Sequence, residues 1–353
     1  MKPLKYLFIS SMLFVATSCG NSWLDLEPST SVDTETSIKI LSDVEFTLNG
    51  IYSTMQSSDA YSGRLVYYGD VTGDDMQAVS STKRVANYYR FNFTKDDNPS
   101  SHWSYLYSII QNCNLILMNI DKLVIDEDDK AYRDDLKGEA LAIRGLALFD
   151  LTRIFGYPYL KDNGASLGVP IIEGLSTIDS KPTRNTVAQC YTKIIDDLTQ
   201  SLSLLGEKFN KGKINKWGAM VLLSRVYLYK GENANALKMA SDAIIGAEKN
   251  KYALWTNEDY PTAWGEDASA SKPGEVLFEI VNLTTDSPGK ESMGYLNSYD
   301  GYDDMCITCS FYQFLKEDPK DIRLKLLSFD KKYYAYVNKY QPCLLYTSPS
   351  PRD

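Results

Sequence analysis

Residues 220–243 read MVLLSRVYLYKGENANALKMASDA, and this stretch decides the fold. Met220, Leu223, Ser224 and Tyr227 keep the three-and-four spacing that places side chains on one face of a helix. Lys230-Gly231-Glu232 then breaks the pattern, and Ala236, Ala240 and Ala243 resume it with small side chains. The spacing predicts two helices joined by a tight turn. Alanines let the second helix approach the first closely, and Tyr227 fills the groove between them.

This is the spacing of a tetratricopeptide repeat, a unit that cannot bury its apolar face alone. Its neighbours must stack with it, and helical periodicity does run from Ser37 to about Ala247. Leu41, Val44, Leu48, Ile51 and Met55 form one face; Trp103, Leu106, Ile110, Cys113, Leu117 and Ile120 form another. A third helix is expected from Tyr132 to Ile154, stopping at Phe155-Gly156-Tyr157-Pro158 because Gly caps a helix and Pro cannot continue one. A fourth opens on Thr186-Val187-Ala188-Gln189, which fits a capping box, and carries Cys190, Ile194, Leu198, Leu202 and Leu205. The helices of 132–155 and 186–205 are the expected stacking partners.

Between and after these helices the pattern fails. Gln56 to Ser101 and Trp255 to Asp304 are rich in Tyr, Asp, Gly and Ser with little periodicity, apart from a strand-like Glu275-Val276-Leu277-Phe278-Glu279-Ile280. Long aromatic loops on a rigid scaffold are where binding residues concentrate. The expected class is mainly α: a helical scaffold with tetratricopeptide-type pairs, long irregular loops and few short strands.

The first residues read as an export signal. Lys2 and Lys5 precede an apolar run from Tyr6 to Val15, too short to span a bilayer, and Ala16-Thr17-Ser18 leads into Cys19. A Cys directly after small residues is where a bacterial lipoprotein is cut and acylated, so residues 1–18 are expected to leave and Cys19 to carry the lipid. The full chain has a net charge of −9, and loss of two lysines makes the remainder more acidic, which excludes a nucleic-acid footprint. Tyr is abundant, 26 against 12 Phe, so many rings must meet both apolar and polar surroundings. Besides Cys19 there are Cys113, Cys190, Cys306, Cys309 and Cys343, an odd and sparse set unlike a disulfide scaffold.

A series of short motifs in one order resembles the SusD/RagB family. They are Cys19 with Trp23-Leu24-Asp25-Leu26-Glu27-Pro28; Trp103-x3-Tyr107-x2-Ile110-x3-Asn114; and Ala140-x-Ala142-x-Arg144-x-Leu146-Ala147-x-Phe149-x-Leu151 leading to Phe155-Gly156-Tyr157-Pro158-Tyr159. Thr183-Arg184-x6-Tyr191-x2-Ile194-x2-Asp197-Leu198, Asn215-Lys216-Trp217-x-Ala219, Leu222-Leu223-Ser224-Arg225-Val226-Tyr227-Leu228 and Glu275-Val276-Leu277-Phe278 continue it. The resemblance implies an outer-membrane lipoprotein, facing the exterior, that serves as binding partner of a SusC-like TonB-dependent transporter. On this reading residues 19–342 are one SusD-like domain, with a helical and loop part at 19–130, tetratricopeptide-type helices at about 131–248 and a loop-rich part at 249–342. The family continues beyond that point, whereas 343–353 fits nothing upstream and resembles a read-through tail; it is set aside, and the chain is expected to be a fragment.

Most motif residues read as structural. Arg144 and Arg225 are expected to pair with carboxylates or cap carbonyls on buried helices, and Asn114 to satisfy a neighbouring backbone. His102, the single histidine, is expected at a helix start or exposed, and no nucleophile motif accompanies it. Cys306-Ile307-Thr308-Cys309 has half of a zinc or redox spacing without a second pair, and Asp70-Val71-Thr72-Gly73-Asp74 only begins a calcium loop, so no metal or cofactor is expected. The clusters Asp74-Asp75 and Asp303-Asp304 could serve a glycosidase, but adjacent acids in polar loops are expected to be solvated, and no enzyme is inferred.

Sugar rings offer apolar C–H faces fringed by hydroxyls, so a capture site needs flat aromatics with polar groups beside them. The candidates are Tyr67, Tyr68, Asp74, Asp75, Tyr88 and Tyr89 in the first loop region and Trp255, Trp264, Tyr295, Tyr299 and Tyr302 in the second. The expected ligand is an oligo- or polysaccharide; the alternative is a scaffold or peptide-capture protein working through its repeat helices.

Overall fold

The computed structural model describes residues 37–94, 100–177, 179–207, 210, 212–264, 274–282, 289–330 and 334–339. The export signal, Cys19 and the tail at 343–353 lie outside them.

The fold is mainly α. Helix α1 (Leu41–Met55) opens where Asp43 Oδ2 accepts the N–H groups of Lys39 and Ile40 at 2.8 and 3.0 Å, satisfying donors that a helix start leaves free. It buries Val44, Leu48, Ile51 and Met55, and Leu41 is partly covered. Short helix α2 (Arg64–Thr72), strand β1 (Met76–Ala78) and short helix α3 (Ala86–Tyr89) follow, so the first aperiodic region is more regular than its sequence suggests. Elements of nine residues or fewer leave too few repeats for periodicity to register.

The scaffold consists of α4 (Ser100–Asn119), α5 (Lys130–Phe155), α6 (Val187–Leu204), α7 (Lys216–Lys230) and α8 (Asn233–Lys249), each packed on its predecessor, with α1 on α4. Helix α5 is central and buried on all sides from Gly138 to Thr152. It ends at Gly156, which is extended rather than left-handed; glycine is needed because a Cβ there would lie 2.7 Å from the Thr152 carbonyl oxygen. Thr186 and Gln189 form the expected capping box of α6, with Gln189 N donating to Thr186 Oγ1 at 3.2 Å and Thr186 N donating to Gln189 Oε1 at 2.9 Å.

The α7–α8 pair has the predicted repeat geometry. Gly231 turns the chain at φ +86°, a left-handed conformation that costs glycine little. Ala236 and Ala243 are buried, and Ser224 Oγ donates to the Ala236 carbonyl at 2.8 Å across the pair. Contact is closer still at Gly246, where a Cβ would lie 1.9 Å from the Trp217 ring.

A buried polar lock ties α4, α5 and α6. Arg144 donates through Nε and Nη2 to the two oxygens of Asp197 at 2.8 and 2.7 Å, and through Nη1 to Asn114 Oδ1 at 2.8 Å. Asn114 Nδ2 then donates to the carbonyls of Ile172 and Gly174, so it does serve a neighbouring backbone. Arg225 departs from expectation: it sits on the outward face of α7 and is exposed. Residues 275–280 also depart, running without a strand partner while Phe278 and Ile280 lie on the helical core. An apolar run that docks on helices reads like a strand without pairing as one.

Short helix α9 (Met293–Asn297), strand β2 (Met305–Ile307), helix α10 (Cys309–Lys316) and strands β3 (Leu327–Phe329) and β4 (Ala335–Val337) complete the described chain. β1 pairs antiparallel with β2 in the register Met76↔Ile307, Gln77↔Cys306 and Ala78↔Met305, and β3 pairs antiparallel with β4. No described helix is long and apolar enough to cross a membrane.

Candidate functional site

The β1–β2 ribbon joins segments more than two hundred residues apart, and a second hydrophobic core forms around it. Tyr67, Val71, Met76, Val85, Leu296, Met305, Ile307 and Ala335 make this core, separate from the helical one, and β4 lies against β2. Both aromatic loop regions therefore meet at one body beside the scaffold.

Around it the candidate rings fall into three groups. In the first, Tyr68 packs edge-on to Tyr88 (centroids 5.4 Å apart) and to His102 (5.9 Å), while Phe93 lies 6.0 Å from Tyr88. Tyr89 is partly exposed next to Tyr88. In the second, Trp255 and Trp264 meet edge-to-face at 4.9 Å, with Tyr260, a ring the sequence reading missed, 5.7 Å from Trp264. Lys339, just after β4, lies 3.4 Å from the centroid of Trp264 and covers one face of it. In the third, Tyr295 and Tyr302 meet edge-to-face at 5.2 Å, and Tyr299 stands 45% exposed. Tyr67 does not belong with these: at 2% exposure it is a core residue, because its place on α2 points it into the ribbon's apolar layer.

The polar groups separate likewise. Asp74 and Asp75 are exposed, as expected, and their backbone carbonyls accept from the hydroxyl and N–H of Thr308, the residue that caps α10. Asp304 is not solvated, and Asp303 is only partly so. Asp303, at φ +53°, accepts from the Tyr336 hydroxyl at 2.6 Å and faces Lys83 at 3.5 Å. Asp304 is buried with Arg84 Nε 3.1 Å from its carboxylate; burial raises its pKa, and the Arg84 charge only opposes this. Arg84 also reaches Glu291 at 3.3 Å and sits over the Tyr302 ring, 4.0 Å from its centroid. Lys83 and Arg84, unnoticed in the sequence, carry the loop's electrostatics. Only the basic pair after Thr82, opposite an acidic pair in a distant loop, could have signalled it.

Asp70 lies within α2, so the calcium-like run is a helix end; burial raises its pKa, the nearby Asp75 charge adds to this and Lys339 opposes it. Among the described residues no group of three or more His, Cys, Asp or Glu is arranged to hold a metal. Cys306 is buried on β2, Cys309 is exposed at the start of α10, and both are free thiols. His102 is buried in the first turn of α4 rather than exposed. Its Nδ1 lies 2.9 Å from the Asp59 carbonyl, Nε2 has no hydrogen-bond partner, and burial lowers its pKa. An open cleft of about 590 Å³ lies elsewhere, at the end of α5, lined by Phe155, Tyr157, Leu167 and Arg184; it contains none of the sequence candidates.

Comparison with known proteins adds to this picture. A family model for SusD-like proteins, described as starch-binding and associating with the outer membrane, matches residues 22–228. A SusD-like protein of Formosa agariphila is 28% identical over 313 residues, covering 85% of this chain and 57% of its own length. The crystal structure of a putative sugar-binding protein from Bacteroides vulgatus is 83% identical, with a TM-score of 0.85, over 87% of this chain and 69% of that one. A SusD superfamily protein from the same organism is 37% identical with a TM-score of 0.80, over 86% and 69% of the two chains. The chain thus spans little more than half the length of the curated relative.

Proposed function

The chain belongs to the SusD-like family, and on that premise we propose that it is a surface lipoprotein that captures an oligo- or polysaccharide and delivers it to a SusC-like TonB-dependent transporter. The observation that carries this reading is the convergence of both aromatic regions on the ribbon core, with Tyr89 exposed and Tyr299 and Tyr302 exposed beside Asp300 and Asp303. Ring faces stack on the C–H face of a sugar, and Asp side chains accept from its hydroxyls. Nothing in this mechanism needs catalysis. Asp303 and Asp304 are engaged by Tyr336, Lys83 and Arg84, which suits positioning of the loop better than proton transfer. Acylated Cys19 would hold the protein at the outer membrane.

Supporting the role of a protein partner, the outer side of the α7–α8 pair exposes Leu237, Ile244 and Ile245, an apolar row that would suit a large protein surface. The pure scaffold reading predicts that this face is the whole function and that no saccharide binds.

Binding to a polysaccharide panel tests the two readings. Trp264→Ala and Tyr295→Ala should each weaken saccharide binding by about 1–3 kcal/mol where that ring stacks on a sugar, by analogy with aromatic–base stacking. Tyr299→Ala belongs in the same series because its ring is more open. Unchanged affinity in all three variants, or sugar release by the unmodified protein, would overturn the proposal.

A further inference from the structure

Resting on that glycan reading, we propose that the platform takes uncharged saccharides and turns away those bearing uronate or sulfate groups, because the cations that hold its 298–304 loop, Lys83 and Arg84, are already committed to carboxylates of the protein. Arg84 is the plainest case. Its guanidinium lies 3.1 Å from Asp304 and 3.3 Å from Glu291 while covering Tyr302 at 4.0 Å. Lending it to an anionic sugar would leave Asp304, 2% exposed, as a buried carboxylate without its cation. Breaking one side of a buried pair is the costly change, whereas the intact pair is nearly neutral in effect. The same move would strip the cation from the Tyr302 ring.

Lys83 is held as firmly. Its ammonium donates to the Tyr302 carbonyl at 2.6 Å and faces Asp303 at 3.5 Å, and Asp303 is fixed from its other side by the Tyr336 hydroxyl. At the opposite end of the ribbon Lys339 sits on Trp264, within reach of the charges of Glu275 and Asp70. Lys290 is exposed near Tyr295, and Glu291, which follows it, is paired with Arg84. Exposed Asp74, Asp75 and Asp300 add negative charge without a paired cation in this network. A polyanion that approaches the Tyr295–Tyr302 rings therefore meets Asp300, Asp303 and Glu291 within a Debye length, about 8 Å at physiological salt, while exposed Lys290 and Arg90, which directly follows Tyr89, are cations outside these pairs. A neutral sugar meets acceptors and ring faces, which its hydroxyls and C–H groups can use without a charge penalty.

The test compares soluble starch, laminarin and galactomannan with polygalacturonate, alginate and chondroitin sulfate, each titrated into the full chain at 20 and 300 mM NaCl. At 20 mM the best neutral polymer should bind at least tenfold tighter than any polyanion, and the gap should narrow at 300 mM. A second arm uses Glu291→Gln combined with Asp303→Asn. Asparagine tolerates the left-handed backbone at 303, so the loop can keep its shape while Lys83 and Arg84 lose carboxylate partners. Its ratio of polyanion to neutral affinity should rise at least tenfold at 20 mM.

A wild-type chain that binds a polyanion as tightly as its best neutral polymer would overturn the proposal and leave the glycan reading standing. An unmoved ratio in a double variant with native-like circular dichroism would also overturn it. If the double variant does not fold, the wild-type comparison alone decides. Absence of binding to both classes of polymer would remove the glycan reading and this inference with it.

Discussion

Arg144→Met should cost more stability than any apolar truncation of comparable size. The residue is 7% exposed, and its partners Asp197 and Asn114 are fully buried. Removing the guanidinium leaves Asp197 with Lys193 at 3.2 Å as its remaining cation, and Asn114 Oδ1 without its donor. Breaking a buried pair from one side costs about 3–5 kcal/mol, against a total stability of about 5–15 kcal/mol for a folded domain. Equilibrium urea unfolding should therefore show the midpoint falling by about a fifth or more with little change in slope. Arg144→Met with Asp197→Leu should recover much of the loss, because no buried charge is left behind and Lys193 retains Glu173 at 2.8 Å. A single variant that costs less than about 1 kcal/mol, or a double variant no better than the single, would refute the view that this lock is held by charge.

Three further outcomes are expected. Burial holds the Glu139 carboxyl up at about 7, from an ordinary 4.5, against the hydrogen bond from Tyr52 at 2.7 Å. The folded state then keeps a proton that the unfolded state releases, so this contribution is complete below pH 4.5 and is lost as pH rises through 7. Glu139→Gln should accordingly gain about 1–3 kcal/mol on the wild type between pH 4.5 and 8 in parallel unfolding curves, and a constant difference would count against it. Native-state alkylation with iodoacetamide should label Cys309 well before Cys113, Cys190 or Cys306, since burial pushes Cys113 up to about 12 and Cys306 up to about 11; equal labelling of Cys306 would mean the ribbon opens readily. Cys19→Ala should abolish incorporation of labelled fatty acid and release the protein from membranes, and persistent labelling would remove the anchor assignment.

The scaffold was legible because its physics is periodic. Leu48 and Ile51, or Ala140 and Ile143, declare a buried helix face from spacing alone, and Gly231 between two such runs declares the turn. The ribbon core was not legible, because β1 and β2 are three residues each and pair across a separation that no local pattern encodes. That is why Tyr67 read as a ligand ring when it is core, and why Asp304 read as solvated when Arg84 had drawn it inside. Residue type was informative where the environment was common, as for exposed Asp74 and Asp75. It misled where the partner sat two hundred residues away.

This division would suit the proposed binding role. Stability comes from five stacked helices whose apolar faces and Arg144–Asp197–Asn114 lock involve none of the exposed rings. The ribbon core shares no buried residue with them, so substitutions at Tyr295, Tyr299 or Tyr302 act on a small satellite and not on the helical stack. Surface loops of this kind open locally at less free energy than the core around which they are built. The ion pairs of Lys83 and Arg84 compensate by pinning the 298–304 loop at residues 302–304, which would order its rings before any ligand arrives and reduce the ordering cost of the proposed binding. Substitutions at Tyr295, Tyr299 or Tyr302 should be tolerated as long as the Ala78–Met305 register and the buried Asp304 are kept, because those two features join the 76–84 segment to the 298–307 segment.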